Sequence, residues 1–157
     1  MARKLFCQIC PLTYRISTYK ERGARRIKDV LSGQRFARTR QEELLPVLIY
    51  KHSSLIRRRL GDVDMRLQEN KAVNLSLAAP WVNAVLIRPG ETFSFWRLVG
   101  NATARRGFRK GLTISNGAPS SGVGGGMCQM TNLIHWMVLH TPLTIVEHHH
   151  HDGLDLF

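Results

Sequence analysis

Only three cysteines occur in the chain, Cys7, Cys10 and Cys128. That is too few for the disulfide framework of a small secreted domain. Cys7 and Cys10 form a single C-x-x-C with no second pair to complete a zinc site, and no βαβ pattern surrounds them as in a thioredoxin-like motif. Chance spacing near a chain end accounts for the pair. No apolar run approaches the ~18 residues of a membrane-spanning helix. The N-terminus starts basic with a short apolar patch, but Gln8 and Pro11 interrupt it and no small-residue cleavage site follows. No signal peptide is therefore expected, and a cytoplasmic location is the default. Internal repeats and low-complexity linkers are also missing.

Acidic residues are scarce in the first third. Residues 1–60 hold 15 Lys and Arg against 4 Asp and Glu, a balance of +11. Residues 61–157 hold 8 against 7, a balance of +1. The basic segment reads either as a solvated helical face or as a surface for anionic lipid headgroups, making the protein membrane-peripheral. No nucleic-acid reading motif accompanies the charge, so specific nucleic acid is not an expected partner.

At 157 residues, 43% of them hydrophobic, the chain suits one soluble globular domain plus an appendage. Residues 1–36 are polar with weak periodicity, and Gly23 and Gly33 are expected to interrupt any helix. Leu44, Leu45, Leu48, Ile49, Leu55 and Ile56 suggest helical packing, split by Pro46 and His52-Ser53-Ser54 and closed by Arg57-Arg58-Arg59 at a helix C-terminus. Gly61-Asp62 marks a break. It divides a basic, mainly helical segment 1–60 from a domain 61–157. From Lys71 to Ile87, the residues Val73, Leu77, Trp81, Val82, Val85 and Leu86 place one apolar stripe on a helix, with Pro80 kinking it or delaying its start. Thr92-Phe93-Ser94-Phe95-Trp96 alternates as a half-buried strand, and Leu112-Thr113-Ile114 and Leu143-Thr144-Ile145-Val146 read as further strands.

The densest signal is Gly122-Val123-Gly124-Gly125-Gly126-Met127-Cys128-Gln129-Met130. Glycines supply backbone freedom or close approach, and Met130, Leu133, Ile134, Met137 and Val138 then recur at helical spacing. Cys128 thus falls at the first turn of a helix, where unpaired N–H groups and partial positive charge favour the reactive thiolate. The fold class expected is α+β, a basic helical segment followed by a small sheet packed on the helix that starts at this glycine run.

Two motifs carry a family resemblance. Ile87-Arg88-Pro89-Gly90-Glu91-Thr92-Phe93-Ser94-Phe95-Trp96 resembles the PGE-x-FSF signature of VanW-type proteins, and Gly124-Gly125-Gly126-Met127-Cys128-Gln129 resembles their GGG-x-CQ motif. Gly107, the run Gly111 to Gly117, Gln68-Glu69-Asn70-Lys71 and Asn74-Leu75 fit the same frame. Leu143 to Glu147 resembles the stretch before the family's E-R-x-x-H pattern, with His148 in place of its Arg and His151 on its His. The resemblance runs from about Asp64 to the end. It implies a setting in vancomycin resistance and the cell wall, without naming a reaction. It also implies a domain incomplete at its C-terminus, since VanW-like domains continue beyond the position of Phe157. The four histidines His148 to His151 match a purification tag in composition, yet they are internal and sit where the resemblance expects a histidine.

For chemistry, a cysteine opening a helix and a histidine after a later strand is an arrangement used by thiol enzymes. On that reading Cys128 is the nucleophile and His151 takes its proton. Gln129 and the N–H groups of Gly124, Gly125 and Gly126 meet an oxyanion, and Asp152, Asp155 or a residue further on orients the imidazole. The substrate class is then an amide, ester or thioester of peptidoglycan type. Two alternatives stay open: a structural role in which Cys128 fills a small apolar space and the glycines form a tight backbone crossing, and metal ligation by Cys128 with His148 to His151. A non-enzymatic class also stands, in which the glycine loop with Arg105, Arg106 and Arg109 binds an anionic wall precursor. No cofactor or metal is assigned, and His135 and His140 read as ordinary histidines.

Overall fold

The computed structural model describes residues 6, 9–57, 64–115 and 118–147. Cys7, Asn116, Gly117 and the run His148 to Phe157 lie outside the described residues, as does the expected boundary at Gly61-Asp62. The chain falls into two compact units. One takes the described residues up to Ala37 together with Ile87–Phe93; the other takes the described residues of Arg38–Leu86 and those from Ser94 onward.

The first unit is built on α1, Pro11–Leu31. Pro11 suits a helix start, where its missing N–H would have had no helical acceptor. The Thr13 hydroxyl accepts from the Cys10 N–H at 3.0 Å. The helix runs straight through Gly23, which was expected to interrupt it. A single mid-helix glycine costs only about 1 kcal/mol against Ala, and twenty other helical residues outweigh that. After α1 a short β1, Arg35–Phe36, pairs in parallel with β2, Glu91–Thr92.

The second unit is α+β. Its long helix α2, Met65–Val82, is capped by the Asp64 carboxylate accepting from the Arg66 N–H at 2.8 Å. Pro80 sits in the exposed last turn of α2, where water can meet the carbonyl that lacks its donor. The short helix α3, Phe95–Val99, and a 3-10 turn, Ala104–Arg106, lead into an antiparallel hairpin of β3, Lys110–Ser115, and β4, Ala118–Val123. Its register opposes Gly111 to Gly122 and Thr113 to Ser120. Helix α4, Met127–Val138, follows.

Four sequence expectations change here. Phe95 and Trp96 belong to α3 rather than to a strand, with Phe95 buried and Trp96 exposed. Leu143 to Val146 pairs with no strand among the described residues; Leu143 and Val146 stand in solvent. The stretch Arg38 to Arg57 is not helical. Pro46 withholds a donor, the leucines lie exposed, and the polar groups find long-range partners instead. Thr39 O accepts from Leu86 N at 2.9 Å, and Gln41 N donates to Ala84 O at 3.0 Å. At its far end, Arg57 is not a helix terminus but pairs with Glu69 of α2 at 2.7 Å.

The fourth change concerns the buried side of α2. Val73, Leu77 and Val82 are half-exposed and Trp81 is 45% exposed. The face turned inward carries Gln68, Lys71, Asn74, Leu75 and Ala78 instead. Together with Phe95, Val99, Phe108 and Met127 these make the core of the unit. Both the hairpin and α4 pack on α2, so α2 rather than α4 is the helix that supports the sheet.

Candidate functional site: the glycine turn and Cys128

The glycine run turns the chain from β4 into α4. Gly124 and Gly126 hold φ of 80° and 92°, the left-handed region that favours glycine. Gly125 answers a different need. A Cβ placed on it would come within 2.2 Å of Gly111 O, and one on Gly111 within 2.5 Å of Gly125 O. Two backbones cross there with no room for a methyl group. Gly126 likewise lies on the aliphatic stem of Lys71, whose Cγ would be 2.1 Å from an added Cβ.

Asn74 fastens this crossing from below. It is fully buried on α2. Its amide donates to Arg109 O at 3.0 Å and to Gly125 O at 2.9 Å, while its Oδ1 accepts from Arg109 N at 2.7 Å. One side chain therefore ties α2, the entry to β3 and the glycine turn. The Gly124 N–H donates to Arg109 O at 3.0 Å and the Gly125 N–H to Gly122 O at 3.0 Å. These two donors serve the turn itself.

Cys128 stands in the first turn of α4, as its position after the glycines predicts, and it is exposed. Met127, one residue earlier, points the other way into the core at 3% exposure. Gln129 reaches back to the extended stretch: its amide donates to Ser54 Oγ at 3.1 Å and to Leu55 O at 2.8 Å. Arg106 is similarly engaged. Its Nη1 donates to Val99 O and Asn101 O, both at 2.7 Å, and its guanidinium lies over the rings of Trp81 and Phe108 at 5.5 and 5.3 Å. Arg105 and Arg109 are exposed, and hydrogen bonds to its main chain set Arg109 beside Gly124. His151, the expected proton acceptor, lies outside the described residues, together with Asp152 and Asp155. Among the described residues no cluster of His, Cys, Asp and Glu has the makings of a metal site.

The residues that sequence reasoning undervalued are Gln68, Lys71 and Asn74. Their spacing of three places them on one helical face, a buried polar stripe running beneath the glycine turn. Gln68 is 1% exposed, and neither its Nε2 nor its Oε1 has a hydrogen-bond partner among the described residues.

A family model described as VanW like protein matches residues 70–155. The chain belongs to this family. The match begins within α2 and takes in the hairpin, the glycine turn and α4. Among curated proteins, the vancomycin B-type resistance protein VanW of Enterococcus faecalis is 47% identical over 116 residues, covering 74% of this chain and 42% of that protein. The uncharacterized protein YoaR of Bacillus subtilis is 35% identical over 83 residues, covering 53% of this chain and 27% of that protein. The chain thus spans less than half the length of the curated relatives it matches. No solved structure matches it. With the VanW-like assignment in place, Asn74, Gly111 and Gly125 gain a common reading: all three serve the backbone crossing around the GGG-x-CQ motif.

Proposed function

We propose that this VanW-like chain acts in glycopeptide resistance on cell-wall precursors, and that Cys128 is its reacting group. The observation that carries the reading is the contrast at the start of α4. The backbone on both sides of the turn is clamped by Asn74 and the Gly111–Gly125 crossing, yet the thiol it presents is exposed. A fixed main chain with an accessible nucleophile suits covalent acyl chemistry. In that chemistry the Cys128 thiol gives its proton to His151 and the sulfur attacks the acyl carbon of an amide or ester. The amine or alcohol departs with that proton, and water opens the thioester to the free acid and the thiol. Gln129 enters this scheme only by releasing Ser54 and Leu55, so its role is to hold the Arg38–Arg57 stretch against α4.

A second reading is favoured by the Gly111–Gly125 crossing, which accounts for the glycines with no reaction at all. On it the protein binds an anionic precursor without altering it, through the exposed Arg105 and Arg109.

The deciding experiment replaces Cys128 with Ser and with Ala in a host whose glycopeptide resistance depends on this chain. Cys7 and Cys10 are changed to Ser beforehand so that labelling reports one thiol. Hydrogen bonds from the Thr13 backbone and hydroxyl lower the pKa of the exposed Cys10 thiol, so Cys10 would otherwise add its own alkylation to the signal. Loss of resistance with unchanged precursor binding supports the thiol reaction. Retained resistance in Cys128→Ala, with binding lost on Arg105→Gln and Arg109→Gln, supports the binding role and removes the reaction.

A further inference from the structure

We infer that α1 is a membrane-surface helix, lying lengthwise in the interface of an anionic bilayer. Leu12, Ile16, Tyr19, Gly23, Ile27 and Val30 recur at steps of three and four, which sets them on one face. In the structure that face is open. Leu12, Tyr19, Ile27 and Val30 are between 62% and 77% exposed, and Ile16 is 49% exposed. A Cβ on Gly23 would meet nothing within 4 Å. An apolar stripe left in water over ~30 Å of helix asks for a cover.

The borders of the stripe say which cover fits. Arg15 and Arg26 flank it on one side and Lys20 on the other, and all three are exposed. Of the two acids of α1, Glu21 falls on the opposite face by the same 100° spacing, and Asp29, about 120° round from the stripe, is bound to Arg25 at 2.8 Å. Apolar centre, cationic rims and acids turned away describe a helix that sinks one face to the acyl boundary and meets anionic headgroups on both sides. A second copy fits poorly, since face-to-face pairing would bring these same cations together. No described helix is long and apolar enough to cross the membrane, so α1 rests on the surface. The inference does not depend on the reading of Cys128: α1 precedes the stretch that matches the family.

The test is co-sedimentation of the full chain with vesicles of phosphatidylcholine and phosphatidylglycerol, against phosphatidylcholine alone, at low and high salt. Binding should require phosphatidylglycerol and weaken with salt. The double change Ile16→Glu and Ile27→Glu should lower partitioning more than tenfold. The triple change Arg15→Gln, Lys20→Gln and Arg26→Gln should lower it by about fivefold per charge, on anionic vesicles only. In a separate Leu12→Trp variant, indole emission should shift to the blue on adding anionic vesicles, which reports insertion without disturbing the stripe. Binding indifferent to the glutamates, an unshifted Leu12→Trp emission, or a dimer that the glutamates dissolve in the absence of vesicle binding would each overturn the inference.

Discussion

Asn74 Nδ2 donates to Gly125 O at 2.9 Å from a side chain with no exposed surface. With its two bonds to Arg109, it satisfies three buried or part-buried backbone groups at once. Each group left without a partner away from water costs on the order of 1–3 kcal/mol. Arg109 O keeps the Gly124 N–H, so Asn74→Ala strands two of the three and is expected to lower unfolding free energy by at least ~2 kcal/mol in denaturant titration. Asn74→Asp should cost as much, because a carboxylate meets two carbonyl oxygens where the amide donated.

Glycine-to-alanine changes should divide by place. Gly125→Ala sets a methyl against Gly111 O and is expected to destabilise by several kcal/mol, of the order seen for backbone strain and overpacking. Gly23→Ala in open α1 should instead favour the helix by about 1 kcal/mol. Circular dichroism melts of the two variants should move in opposite directions.

Gln68 carries a different expectation. Its amide is buried without a partner among the described residues, so the apolar replacement Gln68→Met, of similar length, removes a desolvation cost of about 1–3 kcal/mol. A raised melting temperature is the expected outcome. A raised melting temperature together with lost resistance would show that the amide is kept for what it binds.

The Arg57–Glu69 pair sets an acid limit. Hydrogen bonds from Arg57, and secondarily its charge, hold the Glu69 carboxyl below its ordinary value. The folded form therefore binds its proton less readily than the unfolded form. The stabilisation is complete above the ordinary carboxylate range near pH ~4 and fades as pH falls through the lowered folded value. Glu69→Gln should flatten that acidic slope and leave neutral stability little changed, because the pair is exposed. Urea midpoints measured across acidic pH check this.

What the sequence made legible was local. The glycine run, the helix it opens and the hairpin arm Leu112 to Ile114 follow from residue type and period within a dozen positions. The polar stripe of α2 was hidden because apolar periodicity is the ordinary guide to a buried face, and here Gln68, Lys71 and Asn74 occupy it, with Asn74 binding the backbone of Arg109 and Gly125. The stretch around Leu44 to Ile56 misled for the opposite reason. Its leucines have helical spacing, but its partners Gln129, Glu69 and Leu86 come from 12 to 75 residues away in sequence, beyond what a local pattern can register. Cys128 was located correctly as to helix position. Its proton acceptor depends on His151, which lies outside the described residues.

The Gly111–Gly125 crossing has a consequence for how the hairpin assembles. A strand pair can in principle slip by one residue, which turns every side chain to the other face. Here a slip would carry Lys110 or Leu112 to the point where two main chains pass with no space for a methyl. The misaligned pairing is refused on steric grounds alone, so this contact acts as a ratchet tooth that admits a single alignment of the sheet.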